Sequence, residues 1–190
     1  MISNHYFRRD DPRDAVLLGL NSTICSNGGL SLADLPDGSI VGTSSPRRIA
    51  QLRNKHPHLG VQDIRGNLNT RLKKLDDVGS PYTAILLAMA GINRMGWQDR
   101  VSLQLDNENW KYAVGQGALG VECATTNEEV IVLLESLNDP GTYLSCIAER
   151  NYLRTLEGGC SVPVGVNSFL ALDSSPILHL SGLFISLIQK

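Results

Sequence analysis

The sequence predicts an α/β fold in which helices cover a parallel sheet, and three observations carry that expectation. Residues 39–45 read as a short buried strand running into a small-residue loop, 61–64 as an alternating strand and 82–88 as another buried strand. The segments between them, 46–53 and 68–75, carry apolar residues at helical spacing. Strand and helix alternate strictly, the pattern that places helices on the faces of a parallel sheet.

Taken in order, the charged opening Arg8-Arg9-Asp10-Asp11-Pro12-Arg13-Asp14 precedes the apolar run 15–18, so residues 1–14 read as a linker entering a strand. Residues 21–39 are rich in Ser, Asn and Gly, a loop signature. Pro46, with Ser45 ahead of it as N-cap, opens a helix that ends before Pro57. His56 and His58, flanking that proline, read as the helix exit. Val61-Gln62-Asp63-Ile64 alternates as a strand, Arg65-Gly66-Asn67 is a turn, and the next helix follows. The strand 82–88 leads into 90–96. Beyond Trp110, the glycine-rich 115–120 precedes a strand at 121–124, and 127–137 reads as an acidic amphipathic helix. Asp139-Pro140-Gly141 breaks the chain. A second helix over 142–156, carrying Glu149 and Arg150, stops at Gly158-Gly159. Two strands, 162–172 and 177–183, flank the polar turn 173–176.

The 190 residues suffice for one large domain or two small ones, with 42% apolar residues to build cores. No apolar stretch reaches the roughly 20 residues that span a bilayer, and the polar opening lacks the apolar core of a secretory signal, so no membrane association and a cytoplasmic location are expected. The cysteines at 25, 123, 146 and 160 have neither zinc spacing nor the density of a disulfide scaffold, so reduced thiols and no metal are expected. Cys123 and Cys146 read as small buried residues. Net charge is −2, yet 47–100 holds ten Lys/Arg against four Asp/Glu. One module is therefore an anion binder by composition. Nucleic acid is not the expected anion, because aromatics total 5% and do not interleave with the arginines.

Arg47, Arg48, Arg65, Arg71 and Arg94 fall at or just after the C-terminal ends of the expected strands, or in the first turn of the following helix. In an open parallel sheet that edge is where ligands bind. An arginine fork pairs bidentately with carboxylate or phosphate and keeps its charge at neutral pH, so the set implies a ligand with several anionic groups. Helix N-termini at Ser45 and Asn67 add donors of the same sign. Neither Gly42-Thr43-Ser44-Ser45-Pro46-Arg47-Arg48 nor the 115–120 loop has the spacing and context of a nucleotide fingerprint. No histidine has a convincing nucleophile partner. Cys160, on a glycine hinge after the long helix, has two readings: a residue packed beneath the next strand, or an exposed nucleophile serving as an attachment point. Local sequence leaves both open.

Five motifs in order resemble the porphobilinogen deaminase (hydroxymethylbilane synthase) family. They are Val-Gly-Thr-Ser-Ser-Pro-Arg-Arg (41–48), Ile-Arg-Gly-Asn-Leu-Asn-Thr-Arg-Leu-Lys-Lys-Leu (64–75), Ala-Gly-Ile-Asn-Arg-Met-Gly-Trp (90–97), Ala-Val-Gly-Gln-Gly-Ala-Leu-Gly-Val-Glu (113–122) and Glu-Arg-Asn-Tyr-Leu-Arg-Thr-Leu-Glu-Gly-Gly-Cys-Ser-Val-Pro-Val (149–164). The resemblance implies three domains, two of the doubly wound periplasmic-binding-protein type and a small α+β domain carrying a cofactor cysteine. On that pattern 1–14 is a linker from a first domain, 15–112 the arginine-rich second domain, 113–138 a return segment to the first, and 139–190 part of the third.

The resemblance further implies a dipyrromethane cofactor joined by a thioether to Cys160. Four porphobilinogen molecules are added head to tail with loss of ammonia, and the linear tetrapyrrole of haem biosynthesis is released by hydrolysis. Porphobilinogen and the growing polypyrrole are then the partners, and the full-length family is monomeric. Arg47, Arg48, Thr43, Ser44, Ser45 and Gly66 match cofactor-binding positions, and Arg65, Arg71 and Arg94 match substrate-binding ones. The family's catalytic aspartate lies in the first domain, ahead of this chain; Asp63, Asp76, Asp77 and Glu157 do not match it, and no catalytic residue is expected here. The expectation is a truncated transferase, marginally stable and weak or inactive alone, with a non-catalytic polycarboxylate-binding remnant as the alternative. Pro46 stands where the family has a larger apolar residue, a change that a first helical turn accepts.

Overall fold

The computed structural model describes residues 2–20, 22, 24, 30–156, 163–171 and 176–185. The central sheet comprises β2 (Asp14–Leu18), β3 (Ile40–Gly42), β4 (Gly60–Gln62), β5 (Ala84–Ala88) and β6 (Leu103–Gln104), in the order β4-β3-β5-β2-β6. β3 is parallel to β4 and to β5, as the alternating pattern predicts. β2, however, runs antiparallel to both β5 and β6, so the sheet is mixed. An apolar run fixes burial but carries no strand direction. The reversal matters, because the register pairs Asp14 with Ala88 and so brings the start of β2 to the carboxyl end of β5.

Side chains alternate across strands, and here the alternation separates two cores. Val16, Val41, Ala84 and Leu86 pack with Leu52 of α1 (Pro46–Lys55) on one face. Ala15, Leu17, Ile85 and Leu87 pack on the other with Leu75 of α2 (Leu68–Asp76) and Ile92 of α3 (Met89–Met95). Helices thus cover both faces, the doubly wound arrangement. Ser45 caps α1 ahead of Pro46, and the Asn67 side chain accepts from Thr70 N at 2.9 Å to start α2. His56 is the C-cap of α1, as its place before Pro57 predicts.

The first residues are not only a linker. Ile2–Tyr6 forms β1, antiparallel to β7 (Gly120–Ala124). The densely charged stretch 8–14 follows this short strand. Two chain segments cross here side by side: Phe7 N donates to Leu119 O at 3.0 Å and Asp10 N to Gly117 O at 3.1 Å. Gly117 has φ +82°, and a Cβ there would stand 2.7 Å from Asp10 O, so only glycine suits the crossing. α4 (Glu128–Glu135) follows β7, and α5 (Pro140–Thr155) is capped by Asp139, whose side chain accepts from Thr142 N at 2.8 Å. β8 (Val164–Ala171) and β9 (Ile177–Phe184) form an antiparallel pair. Gly165 sits so close to Lys111 that a Cβ would fall 2.6 Å from its Cβ.

One buried acid holds these pieces together. Glu149 of α5 is 0% exposed and receives Arg9 Nη1 at 2.6 Å and Nη2 at 3.1 Å. Gly115 N donates to it at 2.7 Å, Ser168 Oγ at 2.5 Å and the Tyr112 hydroxyl at 3.3 Å. Burial and the Glu149 charge push the Tyr112 phenol up. The acid therefore ties α5 to both crossing segments and to β8. A buried charge deprived of its counter-charge costs about 3–5 kcal/mol. Glu149→Gln keeps the shape but strands the Arg9 guanidinium, and a loss of about 3 kcal/mol in denaturant unfolding is expected. A loss below about 1 kcal/mol would show that the cluster does not bind the units together.

Candidate functional site

Because β3, β4 and β5 are parallel, their carboxyl ends share one edge, where residues 43–48, 63–71 and the start of α3 follow. Ser44 joins the first two loops, its hydroxyl donating to Ile64 O at 2.7 Å and accepting from Ile64 N at 3.2 Å. Thr43 is buried, and its hydroxyl accepts from Ser45 N at 3.2 Å. Gly66 has φ +118°, where an added Cβ would lie 2.7 Å from Thr70 Cγ2.

The five arginines do not form one open set. Arg47 and Arg48 are 5% and 8% exposed and turn inward to Asp14, itself 1% exposed. Asp14 Oδ1 receives Arg48 Nη2 at 2.7 Å and Gln116 Nε2 at 2.8 Å. Oδ2 receives Arg47 Nη1 at 2.8 Å and Trp110 Nε1 at 2.8 Å. Arg47 also donates to Lys111 O at 2.6 Å, and Arg48 to Leu86 O at 2.8 Å. Both guanidinium groups are therefore engaged on a buried carboxylate within the chain. Nε of Arg47 and Nε of Arg48 are buried without a partner among the described residues.

The other three face outward. Arg65, with 79% of its side chain exposed, donates through Nε to Asp63 Oδ2 at 2.8 Å. Arg71 is half-buried and donates through Nε to Gly66 O at 2.7 Å. Arg94 is exposed and, among the described residues, makes no hydrogen bond or ion pair. It lies in the last turn of α3 and not the first, because that helix starts directly at Met89. Two cavities of about 350 Å³ lie elsewhere, one lined by Ser39, Leu75, Tyr82 and Thr83, the other by His56, Leu105, Asp106 and Trp110. The arginine edge is an open surface.

Sequence reasoning missed Asp14, Trp110 and Gln116. The available signal was one acid heading an otherwise apolar strand, since a carboxylate there needs buried donors. Cys160 and Glu157 lie outside the described residues, as do Cys25 and most of the 173–176 turn. Cys146 is buried, with its thiol pushed up by burial, whereas Cys123 is only half-buried. Among the described residues no group of three or more His, Cys, Asp or Glu could hold a metal, and no helix is long and apolar enough to cross a membrane.

Residues 1–132 match the family model described as porphobilinogen deaminase, dipyromethane cofactor binding domain, and 143–189 match the porphobilinogen deaminase C-terminal domain. The chain belongs to the porphobilinogen deaminase family. It is 48% identical over 179 residues to the porphobilinogen deaminase of Kluyveromyces lactis, covering 94% of this chain and 53% of that protein. Identity is 50% over 182 residues to that of Gloeobacter violaceus (94% and 52%) and 47% over 161 residues to that of Saccharomyces cerevisiae (85% and 48%). The chain spans about half the length of these relatives. A Salmonella typhimurium periplasmic binding protein of high arginine specificity aligns at 15% identity and a TM-score of 0.39, over 81% of this chain and 59% of its own, a likeness too slight to bear on the argument.

In this chain the Asp14 cluster sets both stability and acid response. Burial alone would push the Asp14 carboxyl up, but the positive charges of Arg48 and Arg47 outweigh it and hold the group well below the usual carboxylate range. A depressed folded value stabilises above the unfolded one: the contribution is complete above 3.8 and is lost as pH falls below that. Asp14→Asn is expected to cost about 3–5 kcal/mol at neutral pH by stranding two guanidinium groups. It should also flatten the acid limb of stability, as read from denaturant midpoints between about pH 6 and 2. A variant as stable as the parent, or with an equally steep acid limb, would contradict this.

Proposed function

We propose that this chain serves hydroxymethylbilane synthesis, in which four porphobilinogen molecules condense head to tail. In each condensation the aminomethyl carbon of one porphobilinogen bonds to the free α-carbon of the preceding pyrrole. The amino group leaves as ammonia, and the attacked carbon loses its proton. The observation that supports this most is the outward-facing pair Arg65 and Arg71 following the parallel strand β4, with Arg94 exposed in the last turn of α3. Each pyrrole carries an acetate and a propionate, so a growing chain presents the several carboxylates such an edge can take. Charge-assisted bonds of this kind contribute about 1.5–3 kcal/mol each.

The residues present fit a polycarboxylate cofactor. When bound, dipyrromethane supplies a primer with a free α-position, and Cys160 would hold it through a thioether. Arg47 and Arg48 stay on Asp14 beneath this edge, where two positive charges against one carboxylate favour an anionic cofactor above them. Thr43, Ser44, Ser45 and Gly66 line the same edge. In this reading Arg65, Arg71 and Arg94 hold successive rings in register and offset accumulating negative charge, which is positioning and electrostatic catalysis. A cytoplasmic, monomeric setting belongs to the same proposal.

Intact mass of the purified protein after incubation with porphobilinogen tests it. Two added pyrrole units on the parent chain and none on Cys160→Ser are expected. An unmodified parent, or the same adduct on Cys160→Ser, would overturn the assignment of Cys160.

A further inference from the structure

Asp63 stands among the arginines that the proposed reaction uses, and nothing above gives it work. It follows β4 directly, two residues ahead of Arg65, and its carboxylate takes the Arg65 Nε–H at 2.8 Å. The pair is open to solvent, with 79% of the Arg65 side chain and 57% of the Asp63 side chain exposed. The backbone beneath is fixed independently of the carboxylate: the Tyr82 hydroxyl donates to Asp63 O at 2.8 Å, and the next residue, Ile64, is buried and held by Ser44. The Ser44 hydroxyl, Arg65 and Arg71 together hold the Asp63 carboxyl below its usual range.

We propose that Asp63 is a resident carboxylate that competes with the ligand for Arg65 and so limits how tightly this edge holds its cargo. The inference rests on the reading of the edge as a carboxylate site. A ligand carboxylate that takes the full side-on fork of Arg65, Nε and Nη together, must displace Asp63. Because exposed ion pairs are weak, the exchange is easy in both directions. That reversibility suits a site in which a lengthening polyanion has to shift register after each addition. Asp63 is thus a positioning residue acting through Arg65, not a catalytic one.

Equilibrium titration of the full chain with two probes, porphobilinogen and the pyrrole-free tricarballylate, tests the idea on the parent, Asp63→Asn, Asp63→Glu, Arg65→Ala and Asp63→Asn/Arg65→Ala. Asp63→Asn is expected to bind both probes about two- to fivefold more tightly, the range that loss of an exposed ion pair gives. Asp63→Glu should stay near the parent. The gain should vanish in the Arg65→Ala background, which a general field effect or a purely structural role would not produce. Unchanged or weaker binding by Asp63→Asn, or the same gain without Arg65, would overturn the competition while leaving the carboxylate site standing. Failure of the parent and every variant to bind either probe would overturn the site itself, and this inference with it.

Discussion

The Asp14 carboxylate is the interaction from which the rest of the site follows. Its two oxygens receive four donors, from Arg47, Arg48, Trp110 and Gln116, at 2.7–2.8 Å. Four lone-pair positions meet four N–H groups, so the buried charge is fully satisfied, the condition under which burial of an ion pair is tolerable. Asp14 reaches these partners only because β2 is antiparallel and delivers its first residue to the carboxyl edge of the parallel strands. Strand direction and site electrostatics are therefore one constraint. Turned the other way, β2 would carry its acid to the far edge and leave two guanidinium groups buried with no counter-charge.

This arrangement sorts arginines that look equivalent in sequence. Arg47 and Arg48 occupy the first turn of α1, where the helix faces the sheet, and are drawn in. Arg65 precedes α2, Arg71 lies on its half-buried face and Arg94 ends α3; none of them meets a buried acid, and all remain available to a ligand. Glu149 repeats the logic at the crossing of residues 7–10 with 115–119, where Arg9, Gly115, Tyr112 and Ser168 converge on a fully buried carboxylate. Two buried acids thus fasten the inner frame. The outer row carries its own exposed acid, Asp63, and is correspondingly loose.

Much of this was legible in the sequence, and the gaps have physical causes. The helices at 46–55 and 68–76 declare themselves through Ser45-Pro46 and Asn67, because capping chemistry is local. The strands around Val41 and Leu86 declare themselves through apolar runs, because burial on both faces leaves no polar positions. The direction of β2 is not local information and could not be read from 15–18. Ile2–Tyr6 was hidden because a short strand mixing Asn4 and His5 with apolar residues looks like any polar terminus. The five arginines were found by residue type and position, whereas their division into inner and outer rows depends on Asp14, which is distant in sequence from its four partners. The position of Arg94 within α3 is not legible in the sequence, because no side-chain cap marks the start of that helix.

The central claim is that Arg47 and Arg48 keep their forks on Asp14 while Arg65, Arg71 and Arg94 meet the ligand. Nitrogen–proton NMR of the arginine side chains and the Trp110 indole, recorded through a titration with porphobilinogen, tests it most directly. The account predicts that the Arg65, Arg71 and Arg94 signals move with ligand, while the Nη signals of Arg47 and Arg48 stay slow to exchange and the Trp110 indole stays in place. Joint movement of the Arg47, Arg48 and Trp110 signals, with Arg65, Arg71 and Arg94 unchanged, would contradict it.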